Sequence, residues 1–328
     1  MALIALYSAK GSPGVSTTAM LTAALWPRPS ILVDADPMGG DIALRMVTPD
    51  GDPLRTDRGL LSLLPLARRG LAPEVVLDHT QVAMGGQQVV AGLAGPEQSQ
   101  AVGPLWATLT TAFADLPGHD VIVDAGRAHS NAVHLPLLQQ ADVVVCVMRP
   151  HVAGVVHARE RLRGLQDRLR QADAGSAAVG LVCVDDVQRQ REALSAIEAV
   201  QFHLSWVESF GQVALDPKAA RMFDGFPVPR PERSMLVRSG QRVADTLASS
   251  VRPSAVAYPV GPAGQGAGAA DGPPAPVRSG GAVASPTGED GAAADTRAAS
   301  GPVQTATLDT PRRARAEGRT GRRFGRRK

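Results

Sequence analysis

The feature that most limits the fold is a series of short apolar runs separated by helical stretches, continuing to about residue 250. The runs Ala2–Tyr7, Ser30–Asp34, Gln88–Ala91, His119–Asp124, Asp142–Met148, Ala178–Val184 and Leu204–Val207 have strand length. They are apolar throughout rather than alternating, so burial of both faces is expected. Between them, segments near 16–25, 98–114, 131–140, 154–171, 188–199, 217–223 and 234–248 read as helices. Strands alternating with helices predict an α/β fold with a doubly wound, mostly parallel sheet. Aromatic residues are only 3% of the chain, so the core must come from Ala, Val and Leu. Cys146 and Cys183 both lie in apolar runs and read as buried thiols of a reduced, cytoplasmic protein.

Beyond residue 250 the composition changes. Residues 251–310 are rich in Gly, Ala and Pro and read as a disordered linker; 311–328 form an Arg-rich basic tail. The tail holds nine basic residues and one acid, which leaves residues 1–250 slightly acidic within a chain of net charge +3. Clustered arginine in the tail suits contact with DNA or an anionic membrane, or simply a solubilising role. The first ten residues lack the basic segment of a secretory leader, and no run is long enough to span a bilayer, so neither is expected. The seven histidines show no metal-binding spacing, and no Ser/His/Asp or Cys/His constellation stands out.

The most informative segment joins the first strand to the first helix: Ser8-Ala9-Lys10-Gly11-Ser12-Pro13-Gly14-Val15-Ser16-Thr17-Thr18. A loop there can turn its amide groups inward around phosphates, with a helix N-terminus behind it. Ser16 stands where such a loop places a hydroxyl on Mg²⁺. Glycine and proline at these positions also suit a plain strand–turn–helix connection. Two further strands end in acids. Ile31-Leu32-Val33-Asp34-Ala35-Asp36-Pro37-Met38-Gly39-Gly40-Asp41 brings two carboxylates to a strand end, and His119–Arg127 brings Asp124. In an open parallel sheet such positions face the ligand crevice.

Taken together, these motifs resemble the ParA/MinD family of deviant P-loop ATPases. The family loop runs Lys-Gly-Gly-x-Gly-Lys-Thr-Thr; here it reads Lys10-Gly11-Ser12-Pro13-Gly14-Val15-Ser16-Thr17. Asp34–Gly40 is similar to the family's Asp-x-Asp-Pro-x-Gly-Gly element, and the strand ending at Asp124 is similar to Walker B. Softer likenesses lie at Gly59–Leu64, Gln88–Gly92, Ala141–Pro150 and Asp216–Pro227. The resemblance implies binding of ATP and Mg²⁺ by residues 10–17, with Arg149 and Pro150 near the base. It implies Mg²⁺ held by Ser16, Asp34, Asp36 and Asp124, and an attacking water oriented by Asp36. Lys10 falls on the signature lysine that reaches phosphates across a homodimer, and it is one of only three lysines among 34 basic residues. Val15 replaces the second lysine, which implies weak binding, slow hydrolysis or both.

A degenerate loop of this kind resembles the CpaE/TadZ branch, whose members help place pilus and secretion machines. The reading is therefore a cytoplasmic ATP-binding protein that dimerises on nucleotide and positions or regulates a partner assembly, with weak or no ATPase activity. Two other readings remain open at this point: a pseudo-ATPase scaffold, favoured by Val15, and a DNA-partitioning ATPase, favoured by the tail.

Overall fold

The structure is a computed structural model that describes residues 1–11, 13–170 and 177–251. By contacts the chain divides into the units Met1–Val260 and Gly261–Lys328, and all the described residues belong to the first. Ser12, nearly all of the Gly/Ala/Pro-rich segment and the whole Arg-rich tail lie outside the described residues.

Eight strands form one sheet: β1 (Leu3–Ser8), β2 (Ser30–Asp34), β3 (Gln81–Val82), β4 (Gln88–Val90), β5 (Asp120–Arg127), β6 (Val143–Met148), β7 (Ala178–Asp185) and β8 (Glu208–Ala214). Their spatial order is β3-β4-β2-β5-β1-β6-β7-β8, and every neighbouring pair is parallel except β3–β4. The helices are α1 (Val15–Ala24), α2 (Ile42–Arg45), α3 (Leu60–Ala67), α4 (Pro96–Val102), α5 (Trp106–Ala114), α6 (Leu135–Gln139), α7 (Val152–Arg170), α8 (Gln190–Gln201), α9 (Pro217–Ala220) and α10 (Met235–Ser250). The doubly wound, mostly parallel sheet expected from the apolar runs is present.

Strand pleating explains why those runs carry no polar partner. In β1, Leu3, Ala5 and Tyr7 join one apolar cluster, while Ile4 and Leu6 join the other. In β6, Val144, Cys146 and Met148 take the first face and Val143, Val145 and Val147 the second. Successive side chains point to opposite faces, and helices cover both, so each position is apolar. Residues of α5, α6, α7 and α8 build the first cluster, and residues of α1 and α10 the second. On that second face a side chain at Gly240 would collide with Leu21, so the glycine sets how closely α10 approaches α1.

The last strand departs from expectation. Leu204 and Val207 are buried but not extended: past α8 the chain turns tightly, with Leu204 N donating to Val200 O at 3.0 Å and Val207 N to Leu204 O at 3.0 Å. The strand follows at Glu208–Ala214 instead. Among the described residues it pairs only with β7, and its register skips between Ser209 and Gly211, where Gly211 has φ 103°. An edge position and a bulge remove the continuous apolar signature that marks the central strands. The expected helix over 98–114 is divided by a 3₁₀ turn at Gly103–Leu105.

One carboxylate at the start of β5 holds the sheet's other end together through three donors. Asp120 accepts from the Ala2 amide at 2.8 Å, the Trp26 indole at 2.7 Å and Arg28 Nε at 2.6 Å. It thereby ties β5 to β1 and to the turn after α1. Removing this nearly buried carboxylate leaves an indole N–H and an amide unpaired. Asp120→Ala is expected to lower unfolding free energy by about 3 kcal/mol in urea titrations; a loss below about 1 kcal/mol would contradict the role assigned to it.

Candidate functional site

Parallel pairing places the carboxyl ends of β1, β2 and β5 together. Asp34 and Asp124 are register partners on neighbouring strands, and Leu6 of β1 pairs with Asp124 on the other side. The loop Ala9–Gly14 leaves β1 at this edge. Gly11 and Gly14 have φ of 77° and 106°, a region that glycine enters without strain. The Gly14 carbonyl accepts both the Thr18 amide at 2.9 Å and the Thr18 hydroxyl at 2.8 Å, which closes the first turn of α1.

A cavity of about 540 Å³ opens between this loop, the Asp36–Asp41 turn and the end of β5. Gly11, Pro13, Gly14, Val15, Ser16, Thr17 and Asp36 all line it. Asp36 packs directly against Gly126, where any side chain would displace its carboxylate. The Met38 amide donates to Asp36 at 2.8 Å, and burial raises the Asp36 pKa above the usual carboxylate range. Asp124 lies just below, almost fully buried, and accepts from the Gly126 amide at 3.0 Å. Burial pushes its pKa up to about 6, opposed by the Ser16 hydroxyl and the Gly126 amide. Burial of this kind favours the neutral acids, and a cation bound beside them would favour the ionised form.

Asp34, like Asp124, is buried and lines neither this cavity nor the one on the other side of the loop; its partners differ. The Ile42 amide at the start of α2 donates to it at 3.0 Å and the Asp36 amide at 3.4 Å, and Gly40 and Gly92 pack against its carboxyl. Burial, then the charge of Asp124, raises its pKa to about 8. Here Asp34 pins the turn that presents Asp36. Among the described residues no three His, Cys, Asp or Glu side chains converge as a metal cage. A divalent ion here would take one or two protein oxygens and complete its shell from phosphate and water, as Mg²⁺ commonly does. Ser16, Asp36 and Asp124 suit that arrangement.

A second cavity, about 660 Å³, lies on the other side of the loop. It shares Gly11 and Pro13 with the first and brings Lys10 together with Arg149 and Pro150. Lys10 is exposed and does not line the acidic cavity. The loop is thus a ridge with an acid-lined space on one flank and the expected nucleoside-side residues on the other. A still larger space of about 720 Å³, where α1 ends and β2 begins, is lined by Leu21, Leu25, Met46, Met84 and Phe223 and holds none of the expected site residues.

Arg45 and Arg127 also line the acidic cavity, and no sequence motif marks either of them. Arg127 stands three residues after Asp124, but spacing alone does not show that the chain turns it back toward the loop. Arg45 donates to Asp224 at 2.8 Å, a contact across 179 positions that no local pattern displays. Behind the site, buried His134 hydrogen-bonds through Nε2 to the carbonyl of Ala125, at 3.0 Å, and so supports the strand end between Asp124 and Gly126.

No family model matches the sequence, and no curated protein matches it. Solved structures do. A ParA family ATPase from Chlorobium tepidum TLS aligns with a TM-score of 0.56 at 16% identity, covering 75% of this chain and 97% of its own. The ATP complex of a McdA variant from Cyanothece aligns at 0.57 and 15%, covering 76% and 96%. The septum site-determining protein MinD of Pyrococcus horikoshii OT3, complexed with Mg-ADP, aligns at 0.55 and 16%, covering 74% and 94%. The chain therefore has the ParA/MinD-like P-loop ATPase fold.

Burial lowers the His134 pKa to about 4. The unfolded chain then binds the extra proton first, so His134 contributes stability above pH about 6.5 that is lost as pH falls toward 4. His134→Asn removes that titration and is expected to be less stable at pH 7, with the deficit shrinking as pH approaches 4. Paired urea titrations across this range measure the difference, in which the carboxylate contributions cancel; a constant deficit would refute the assignment.

Proposed function

We propose that this chain binds ATP with Mg²⁺ at the ridge formed by residues 10–17, dimerises when it does so, and uses the dimer to position or regulate another assembly. The observation that carries the reading is the convergence of three separate segments. A glycine-turned loop at a helix N-terminus faces Asp36 across one cavity, and Asp124 is buried behind the cavity's Gly126, with the cavity-lining Ser16 beside it. Asp34 has a structural use in pinning the turn, whereas a ligand-free strand–turn–helix connection gives no comparable use to Asp36, which lines the cavity.

In this reading the amides at the start of α1 and the loop bind the phosphates. Ser16 and Asp124 hold Mg²⁺, which supplies neutralisation of the phosphate charge. Asp36, oriented by the Met38 amide and backed by the Asp34 pin, accepts the proton side of an attacking water. Lys10, exposed on the opposite flank, is available to a second protomer. Arg149 and Pro150 take the nucleoside end. ATP and Mg-ADP occupy two of the structurally similar proteins, which supports the choice of ligand. Phosphoryl transfer relies mainly on placement and charge neutralisation, so Val15 in place of a lysine makes hydrolysis slow. The partner assembly is a pilus or secretion machine, on the likeness of the loop to the CpaE/TadZ pattern. Residues 1–250 carry nucleotide binding, and the 311–328 tail adds weak contact with DNA or anionic lipid.

A scaffold that ignores nucleotide is the competing reading. Val15 favours it, because the side chain is buried in the apolar cluster beneath α1. Titration calorimetry separates the two. Wild type is expected to release heat with ATP·Mg²⁺, and Ser16→Ala to weaken that binding about tenfold. Lys10→Ala is expected to retain monomer binding but lose nucleotide-dependent dimerisation by light scattering. No heat with wild type would overturn nucleotide binding, and turnover as fast as that of a full P-loop enzyme would overturn slow hydrolysis.

A further inference from the structure

The acidic cavity has to receive a polyanion, and the residue expected to neutralise it, at position 15, is a buried valine. Lys10 does not line this cavity. The cations that do are Arg45 and Arg127, set against Asp36 and Asp41.

The two arginines are not equivalent. Arg45 is already committed: Nε donates to Asp224 at 2.8 Å and Nη1 to the Thr17 hydroxyl at 3.3 Å. Its charge is met by a carboxylate on another segment. Arg127 is exposed and, among the described residues, makes no ion pair. Its Nε donates to the carbonyl of Gly11 at 3.1 Å, so the guanidinium is moored on the phosphate loop itself. Among the described residues the Nη groups have no hydrogen-bond partner. The mooring is rigid at its other end too, because Arg127 is the last residue of β5, three past Asp124, and Gly126 turns the chain with φ 55°. Its positive charge acts on Asp36, whose pKa it pulls down against the effect of burial.

Resting on the nucleotide reading above, we propose that Arg127 supplies from the end of β5 the phosphate-binding charge that position 15 lacks, presenting its Nη groups to the outer phosphates of a nucleoside triphosphate. A planar guanidinium gives two parallel donors to phosphate oxygens and keeps its proton among neighbouring acids. Moored on Gly11, it also makes phosphate binding depend on the loop holding its shape.

The test is titration of the full chain with ATP·Mg²⁺ and ADP·Mg²⁺, with circular dichroism to confirm that each variant folds. Arg127→Ala is expected to weaken ATP·Mg²⁺ about ten- to a hundredfold and ADP·Mg²⁺ less. Arg127→Lys is expected to recover part of the loss. Val15→Lys is expected to rescue Arg127→Ala while changing wild type little, because the two cations serve the same phosphates. Arg45→Ala is expected to affect ATP and ADP alike. Arg127→Ala binding ATP·Mg²⁺ within twofold of wild type would overturn the proposal while leaving nucleotide binding intact. Equal gains from Val15→Lys in both backgrounds, or a triphosphate-specific loss in Arg45→Ala instead, would do the same. A wild type that binds neither nucleotide would overturn the nucleotide reading and this proposal with it.

Discussion

A parallel sheet buried on both faces permits few ways of connecting its strands. Each connection must leave at a carboxyl end, cross one face as a helix and return to the far edge. Here that rule gathers the ends of β1, β2 and β5 into one edge, in the order that places β5 between the other two. The chain goes to one side of β1 through α1 and comes back on the other side through α6, so β1 lies at the reversal where open α/β sheets form their crevice. The loop after β1 and the acids ending β2 and β5 are therefore neighbours because of topology, although more than 80 residues separate Asp36 from Asp124 in sequence.

The same geometry sets an electrostatic tension. Register pairing brings Asp34 and Asp124 side by side in a buried region, and Asp36 stands over Gly126 close by. The two inner acids are stabilised differently. Asp34 is given amide donors from the start of α2 and from Asp36, and works as a brace. Asp124 has one amide and the neighbouring Ser16 hydroxyl, which itself lines the cavity. One carboxylate thus shapes the turn while the other is tied to the end of its own strand and to the first turn of α1.

How much of this was legible in the sequence follows from which interactions are local. The central strands were legible because burial on two faces leaves a continuous apolar run, as in Val143–Met148. The loop and its acids were legible because glycine turns and strand-end carboxylates are sequence-adjacent patterns. β8 was not, because an edge strand carrying Glu208, Ser209 and Gln212 with a bulge at Gly211 has no such run. The different fates of Asp34 and Asp36, two residues apart, were not legible either. They depend on Gly92 and Gly126, which reach these acids from other strands. Arg45 and Arg127 were hidden for the same reason: their partners, Asp224 and Gly11, are distant in the chain.

Val15 shows how charge and packing compete at the first turn of α1. Val15 lines the acidic cavity and also belongs to the apolar cluster that includes Val184. A lysine there would serve the first surface and a valine serves the second. Burial of a valine in that cluster contributes roughly 1.5 kcal/mol or more to stability, whereas a lysine would add a mobile ammonium to the loop. Placing the cation on β5 separates the two demands: α1 keeps its apolar contact, and the charge sits on a strand fixed by pairing on both sides. The consequence is that the loop after β1 is held from outside, through the Gly11 carbonyl, and its conformation becomes coupled to the strand that carries Asp124.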